Sequence, residues 1–287
     1  KRLHWNILMI KMNSDRCSAE YSREQLPETG INNRMNNFVT DAINLKSYNL
    51  SEADKIIVMY SREKGLIRGV AKGVKKPKSK LGARMDLLVA NKLMLYKGKN
   101  LDTICQAEAL NTFTKTRQNM DKIFYSLYIS EVVTNFGVED DPCSNEIFEL
   151  LYQTLDCIAK SSGKIEVMIA VLKFQLKMMA LSGLGIELNT CLKCGCEIKN
   201  DNMYFSSNRG GVVCKNCSDI SAGYVLMHSK IRDFLKELEI TDFFDHSSYE
   251  EKATEKICTV CFELLKGYIN LHSPRRFNST EILQEIS

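Results

Sequence analysis

The sequence predicts an α+β fold in which a small five-stranded β-barrel is followed by an α-helical domain with an inserted four-cysteine ribbon. Three observations support this prediction. Short runs rich in β-branched and aromatic residues alternate with turn residues as far as Phe113, helical periodicity replaces them afterwards, and two C-x2-C pairs interrupt the helical part.

Five strand candidates lie between Phe38 and Phe113, and Asn, Gly, Ser and Lys-rich turns separate them. Five short strands in succession predict a small closed barrel. An OB-type barrel is the leading candidate, because it has five strands and often binds nucleic acid. The expected strands are Phe38–Tyr48, Lys55–Tyr60, Gly65–Val74, Met85–Tyr96 and Thr103–Phe113.

After Phe113 apolar residues recur at three- and four-residue intervals, which predicts amphipathic helices. Gly137 and Gly183 suit the ends of the first and third helix. The expected helices are Thr116–Phe136, Asn145–Ser161, Lys164–Ser182, Lys230–Leu238, Tyr249–Leu271 and a short one from Ser279.

These patterns divide the chain into a barrel domain, residues 35–114, and a helical domain, residues 115–287, with the cysteine ribbon inserted at about 188–222. Residues 1–34 show no sustained period, and we expect them to be a disordered extension. The alternative is that the natural chain starts at Met35, which an intact-mass measurement would decide.

The basic residues are concentrated in the predicted barrel. Residues 36–115 contain 15 Lys and Arg against 7 Asp and Glu, whereas residues 116–287 contain 18 against 24. The segment from Lys64 to Arg84 has eight basic residues and no acidic one. Such a segment can bind phosphates by counterion release, which selects the backbone and not the bases. The expected DNA-contacting residues are Arg68, Lys72, Lys75, Lys76, Lys78, Lys80 and Arg84.

Two alternatives remain open for this surface. The lysines could simply form a solvated, charged loop that keeps the protein soluble. Tyr48, Tyr60 and Tyr96 could stack on bases, but each could equally pack within the barrel or at its rim.

The cysteine pairs indicate a structural metal site. Cys191 and Cys194 are separated from Cys214 and Cys217 by 19 residues, a spacing typical of a four-cysteine zinc ribbon. Four thiolates leave no open coordination position, so we expect one structural Zn²⁺ and no metal catalysis. Tyr204, Phe205, Val212 and Val213 predict a hairpin between the pairs. Cys196 is expected not to be a ligand, and Cys258 and Cys261 are expected to be buried on one helix face.

Several functional classes are disfavoured. The four histidines fit no nucleophile or metal-ligand motif, and the sequence contains no Gly-rich phosphate loop, which argues against an enzyme. No run of apolar residues is long enough for a membrane helix. The odd number of 11 cysteines, most of them isolated in apolar patterns, favours a reducing cytoplasm over secretion.

Several segments together resemble the bacterial recombination mediator family RecO. The resemblance extends from Met35 towards the C-terminus and is most specific between Ser61 and Gly82. The segments that carry it are Thr40–Tyr48, Glu52–Ile56, Ser61–Gly73, Lys76–Gly82, Leu184–Leu192 with Cys194-Gly195, and Arg209–Val212 before Cys214. Residues 1–34 have no counterpart in this family, and Cys196, Cys258 and Cys261 are additional thiols.

The resemblance implies an OB barrel, a helical domain and a zinc ribbon inserted in it. It further implies binding of single- and double-stranded DNA, annealing of complementary strands, partnership with RecR, and help in loading RecA on DNA coated by the single-strand-binding protein SSB. A bacterial, nucleoid-associated location would follow. Two other hypotheses stay open, namely an RNA- or ribosome-binding zinc-ribbon protein and a redox protein that uses its C-x2-C pairs.

Overall fold

A computed structural model describes residues 37–199, 202–218, 223–241 and 252–277. The predicted extension over residues 1–34 and the short helix expected from Ser279 lie outside these ranges. All of the described residues belong to one compact unit, residues 36–287.

The first five strands form one sheet that closes on itself. They pair in the order β1-β2-β3-β5-β4, and β4 pairs back with β1. All pairings are antiparallel except the short parallel one between β3 and β5 at Gly69 and Val70. The predicted strands are therefore confirmed, with small changes at their ends. Their bounds are β1 Asn37–Asn49, β2 Lys55–Ser61, β3 Gly65–Ala71, β4 Ala90–Tyr96 and β5 Asp102–Asn111.

The connection from β3 to β4 differs most from the prediction. β3 ends at Ala71 instead of Val74, and Met85 belongs to a short 3-10 helix, Gly82–Met85, instead of to β4. Val74, Leu81 and Met85 are buried in the same apolar cluster as the barrel interior. The loop therefore contributes core residues of its own, and its apolar residues resembled extensions of the two strands.

A buried asparagine fixes this connection to the barrel. The Asn44 Nδ2 group donates hydrogen bonds to the carbonyl oxygens of Arg84, at 2.8 Å, and Asp86, at 2.9 Å. Asn91 Nδ2 donates to the same Arg84 oxygen at 2.8 Å. Because buried carbonyls need partners, these two side chains hold the 3-10 turn in one place.

The helical part begins later than predicted, since Thr114–Gln118 is a 3-10 turn and Asn119 caps the first α-helix by accepting a bond from Lys122 N–H at 3.2 Å. Thr254 caps the last helix in the same way, and residues 249–251 of the predicted helix lie outside the described ranges. None of the described helices is long and apolar enough to span a membrane. The helices are α1 Met120–Phe136, α2 Ser144–Lys160, α3 Lys164–Leu181, α4 Ser229–Ile240 and α5 Glu255–His272.

The cysteine segment lies between α3 and α4 and contains the predicted hairpin. Strand β6, Asn202–Ser206, pairs with β7, Gly211–Cys214. A third strand that the sequence pattern did not predict, β8, Val225–His228, pairs with the other edge of β6. The segment is thus a small three-stranded sheet.

One continuous apolar core joins the three parts. It contains Ile43 and Tyr60 from the outer face of the barrel, most of α3, and Met203 and Phe205 from the small sheet. The helix α3 is buried nearly all round, with twelve of its 18 residues buried. A second core, which includes Ile57 and Leu93, fills the barrel interior.

The β2–β3 turn contacts the α1–α2 connection closely. Gly65 has φ +64°, its backbone forms a bridge with Glu139, and a Cβ at this position would overlap the carbonyl oxygen of Val138. Gly73 has nearly the same φ, +65°, but a Cβ there would make only ordinary van der Waals contact with the Lys76 side chain. Both glycines need a left-handed backbone, but only Gly65 also lies against a neighbouring backbone segment. Comparing alanine variants at the two positions therefore distinguishes the cost of the conformation from the cost of the clash.

We predict that Gly65→Ala lowers the free energy of unfolding by about 3 kcal/mol or more, because it combines left-handed strain with a clash against backbone. Gly73→Ala should cost only the strain, about 1 kcal/mol. Urea unfolding followed by circular dichroism measures both. Equal losses in the two variants would contradict a close contact between the barrel and the helices.

Candidate nucleic-acid surface and metal site

The predicted DNA-contacting residues lie on β3 and on the long β3–β4 connection. Arg68 is in β3, and the other six follow between Ala71 and Met85. All seven of these side chains are exposed. Among the described residues, none of them takes part in a salt bridge. Their charge is therefore directed to solvent and free to meet an external anion.

The base of this connection is held against the β1–β2 turn. The backbone N–H of Gly73 donates to Asp54 Oδ1 at 2.7 Å, and Lys75 N–H donates to the Ala53 oxygen at 3.1 Å. The Gly73 bond lowers the pKa of Asp54, and the nearby charges of Lys72 and Lys76 act in the same direction. The loop is thus anchored at its start while its lysines project outward.

Two basic side chains bond locally within this surface. Lys75 Nζ donates to the carbonyl oxygen of Ser51 at 2.9 Å, and Arg84 donates to the carbonyl oxygen of Lys80 at 2.6 Å. Carbonyl acceptors leave the cationic charge uncompensated, so these bonds position the charge without neutralising it.

Other basic residues of the barrel are engaged with neighbouring side chains. Arg62 contacts Glu149 at 2.5 Å and lies 4.4 Å from the ring centre of Phe148. Lys64, the first residue of the acid-free segment, lies 4.4 Å from the ring centre of Phe38. The part of the segment that follows Lys64 therefore carries the basic side chains that contact neither a carboxylate nor an aromatic ring among the described contacts.

The three tyrosines have different positions. Tyr60 is completely buried, and its hydroxyl donates to Asp141 Oδ2 at 3.2 Å. Burial raises its pKa strongly, and the charge of Asp141 adds to the effect. Tyr60 is thus a core residue and is not available to stack on bases. Tyr48 and Tyr96 are 48% and 44% exposed, so stacking remains open to them.

The four predicted metal ligands come together at one point. The sulfur atoms of the two cysteine pairs all lie within 4.8 Å of one another. Gly195 has φ +72°, and its N–H donates to the Cys191 oxygen at 2.8 Å, which closes the first knuckle. Cys214 ends β7, and Cys217 ends the 3-10 turn Lys215–Cys217. Each pair is thus placed by its own tight turn.

The backbone around the cluster favours thiolates. Burial raises the pKa of Cys191, but hydrogen bonds from the N–H groups of Cys194 and Cys214 outweigh burial and lower it to about 6. Backbone N–H donation at Cys196 also lowers the pKa of Cys194. The neighbouring Cys194 sulfur raises the pKa of Cys217 to about 12. Four thiols this close cannot all ionise unless a cation shares the site, and a thiolate-preferring metal fits that donor set.

Three further cysteines fall into two groups. Cys196 is exposed, and its sulfur lies 3.3 Å from that of Cys194, so it adjoins the cluster without belonging to the set of four. Cys258 and Cys261 are fully buried on α5, as predicted. Burial raises their pKa values to about 11 and 12, which makes them poor ligands and poor nucleophiles.

Lys92 was not among the predicted contacts, although it is exposed on β4 beside the same surface. Leu93 and Leu95, which follow it on β4, point into the barrel. Because side chains alternate along a strand, this pattern indicates from the sequence that Lys92 faces outward. Lys92 stands apart from the run of basic residues along the chain and joins this surface only through the pairing of β4 with β1 and β5.

Comparisons with known proteins indicate one family over most of the chain. The family model described as "Recombination protein O N terminal" matches residues 35–113, and the one described as "Recombination protein O C terminal" matches residues 117–281. A DNA repair protein RecO from Desulforamulus reducens is 31% identical over 250 residues, which cover 86% of this chain and 93% of that protein.

Other relatives give the same result. A DNA repair protein RecO from Pelotomaculum thermopropionicum is 33% identical and covers 70% of this chain and 76% of its own length. Another, from Alkaliphilus metalliredigens, is 29% identical and covers 86% of this chain and 98% of its own length. The chain therefore belongs to the Recombination protein O family.

Proposed function

We propose that this protein is a non-enzymatic mediator of DNA repair and homologous recombination in the bacterial cytoplasm. In this proposal it binds single- and double-stranded DNA, anneals complementary strands and, with RecR, assists RecA loading on SSB-coated DNA. The names of its relatives support the DNA repair role. The observation that carries DNA binding is the set of exposed cations without ion-pair partners among the described residues.

We further propose that the barrel, residues 35–114, is of the OB type, and that residues 115–287 form a helical domain with a ribbon at about 188–222. The strand order β1-β2-β3-β5-β4 supports this reading, because five strands closed in a barrel are the form that OB modules take. The bounds of the two matched family regions support the same division.

Annealing requires two polyanionic backbones to approach each other. A dense group of lysines can screen their repulsion and release counterions, and no bond has to be made or broken. In this proposal Arg68, Lys72, Lys75 and the residues that follow as far as Arg84 supply the screening. Excess negative charge on residues 116–287 disfavours DNA there and leaves that surface to protein partners.

We propose that Cys191, Cys194, Cys214 and Cys217 hold one structural Zn²⁺. Zinc prefers a tetrahedron of thiolates, and a site with four protein ligands has no position for substrate. The backbone N–H groups that lower the pKa of Cys191 support thiolate ligation. The ion would hold the small sheet in the shape that packs against α5.

The test of DNA binding is the triple variant Lys75→Glu, Lys76→Glu and Lys78→Glu. Each lost phosphate contact should reduce the salt dependence of log K by about 1, so the slope should fall by about 3. Affinity for a labelled single strand at moderate salt should fall by at least about tenfold. Fluorescence anisotropy across a salt series measures both quantities.

The matched control reverses three exposed cations of the helical part, Lys230, Lys256 and Arg275, with the same change in net charge. It should bind nearly as well as the wild type. Annealing of SSB-coated complementary oligonucleotides, measured in parallel, should be accelerated by the wild type and the control and not by the loop variant. Equal salt slopes in all three proteins would rule out the β3–β4 connection as the DNA-binding site. A preference for RNA over single-stranded DNA in competition would favour the alternative of an RNA- or ribosome-binding protein.

For the metal site, we expect one zinc per chain by elemental analysis. Cys214→Ser should lose the metal and several kcal/mol of stability, because binding of four-cysteine zinc stabilises folding by on the order of 10 kcal/mol. Cys196→Ser should keep the metal and serves as the control. Metal should also be lost as the pH falls, because protons compete for the thiolates.

The cysteine variants also separate the metal site from DNA contact and test the ligand set. The salt dependence of DNA binding should be unchanged in Cys214→Ser at a temperature at which it remains folded. If Cys196→Ser loses the metal while Cys217→Ser retains it, the ligand set is wrong.

A further inference from the structure

A groove with a volume of about 560 Å³ lies beside the basic β3–β4 connection, hereafter the loop, on strands β1, β4 and β5. Lys80 and Arg84 contribute to it from the loop, and Lys92 contributes from β4. Val39, Met94 and Cys105 also line it. The groove therefore combines three cations with apolar side chains.

The strand register arranges these residues in rows across the sheet. Val39 on β1 is paired with Met94 on β4, which is paired with Gln106 on β5. In the next row, Lys92 lies between Asp41 and Glu108. Val39 is 59% exposed, so its side chain is accessible to a ligand.

The charge of the groove is positive. Lys80, Arg84 and Lys92 are opposed by a single lining carboxylate, that of Glu108. None of the three cations has an ion-pair partner within the described ranges. An elongated anion would therefore be attracted along the floor of the groove.

The side of the barrel that OB modules most often use is partly covered in this protein. OB barrels commonly bind oligonucleotides on the face formed by strands 2 and 3. Here Val58 and Tyr60 on β2 and Leu66 on β3 belong to the core shared with the helices. The part of this face formed by Val58, Tyr60 and Leu66 is therefore not available to a nucleic-acid strand, whereas Arg68, further along β3, stays exposed.

We propose that the groove holds one single strand of nucleic acid, with Lys80, Arg84 and Lys92 on its phosphates and Val39 and Met94 against its bases. This inference rests on the proposed DNA-binding function and adds where on the barrel the bound strand lies. Lys80 belongs both to the β3–β4 connection and to the groove. The nucleic-acid strand therefore runs from the lysines of that connection onto the β1-β4-β5 face. An acidic peptide is disfavoured, because the cations continue beyond the groove into the loop.

Cys105 provides a direct probe, because it is exposed and lines the groove. A saturating oligothymidylate should slow the alkylation of Cys105 several-fold in the zinc-loaded full chain. Mass spectrometry of the Cys105 peptide measures the rate, and the half-buried Cys143 and Cys157 are internal references. A polyglutamate peptide at equal charge concentration should leave the rate unchanged.

Lys92→Gln provides the energetic test. It should reduce the salt slope of single-strand binding by about 1, as expected for one lost phosphate contact. Lys92→Glu should have a larger effect, but it places a third carboxylate beside Asp41 and Glu108. If Lys92→Glu unfolds for this reason, the result for Lys92→Gln decides. Lys256→Gln, on the exposed start of α5, is the matched control and should leave the slope unchanged.

The outcomes separate this inference from the proposed function. If the wild type binds DNA and the triple loop variant does not, but Cys105 is unprotected and Lys92→Gln is neutral, the groove assignment is wrong and the function stands. Protection by polyglutamate without protection by the oligonucleotide would identify a peptide site and overturn the inference. Failure of the wild type to bind any DNA would overturn both.

Discussion

The structure depends on the apolar core around α3. This helix is buried nearly all round, and the helices α1, α2 and α5 pack against it. A helix with that composition cannot remain exposed to water, so it requires neighbours on every side. The barrel supplies Ile43 and Tyr60 to the same core, and the small sheet supplies Phe205, whose ring lies 6.1 Å from that of Tyr268 on α5. Barrel, helices and cysteine segment are therefore held together by one constraint.

This core also determines which surfaces remain available. Packing of β2 against the helices covers one side of the barrel, and the interface engages Arg62 with Glu149 and Phe148. The β3–β4 connection is fixed separately, by Asn44 from within the barrel and by Asp54 from the β1–β2 turn. Its lysines are consequently presented on a side that the helices do not cover. A surface whose base is already ordered loses less conformational entropy when it binds a ligand.

Local patterns in the sequence were sufficient for the strands, the helices and the cysteine pairs, because alternation, helical period and knuckle spacing are properties of neighbouring residues. They failed where distant residues decide. Val74 and Met85 looked like strand residues because their partners are in the barrel interior. The core position of Tyr60 depends on packing with helices that begin 60 residues later, and β8 is too short to be recognised without its partner β6. Spacing likewise could not show that the Cys196 sulfur lies 3.3 Å from that of Cys194.

The preference for lysine on the proposed DNA surface has a physical consequence for strand annealing. Five of the seven predicted contacts are lysines, and an ammonium group acts as a point charge without the planar fork that arginine uses to read base edges. Phosphate contacts fix the position of a strand and carry no sequence information. In the proposed groove, apolar contacts of Val39 and Met94 would engage the faces of bases and leave their hydrogen-bonding edges free. A protein that anneals strands has to leave those edges open, because complementarity between the two strands, and not the protein, must decide which of them pair.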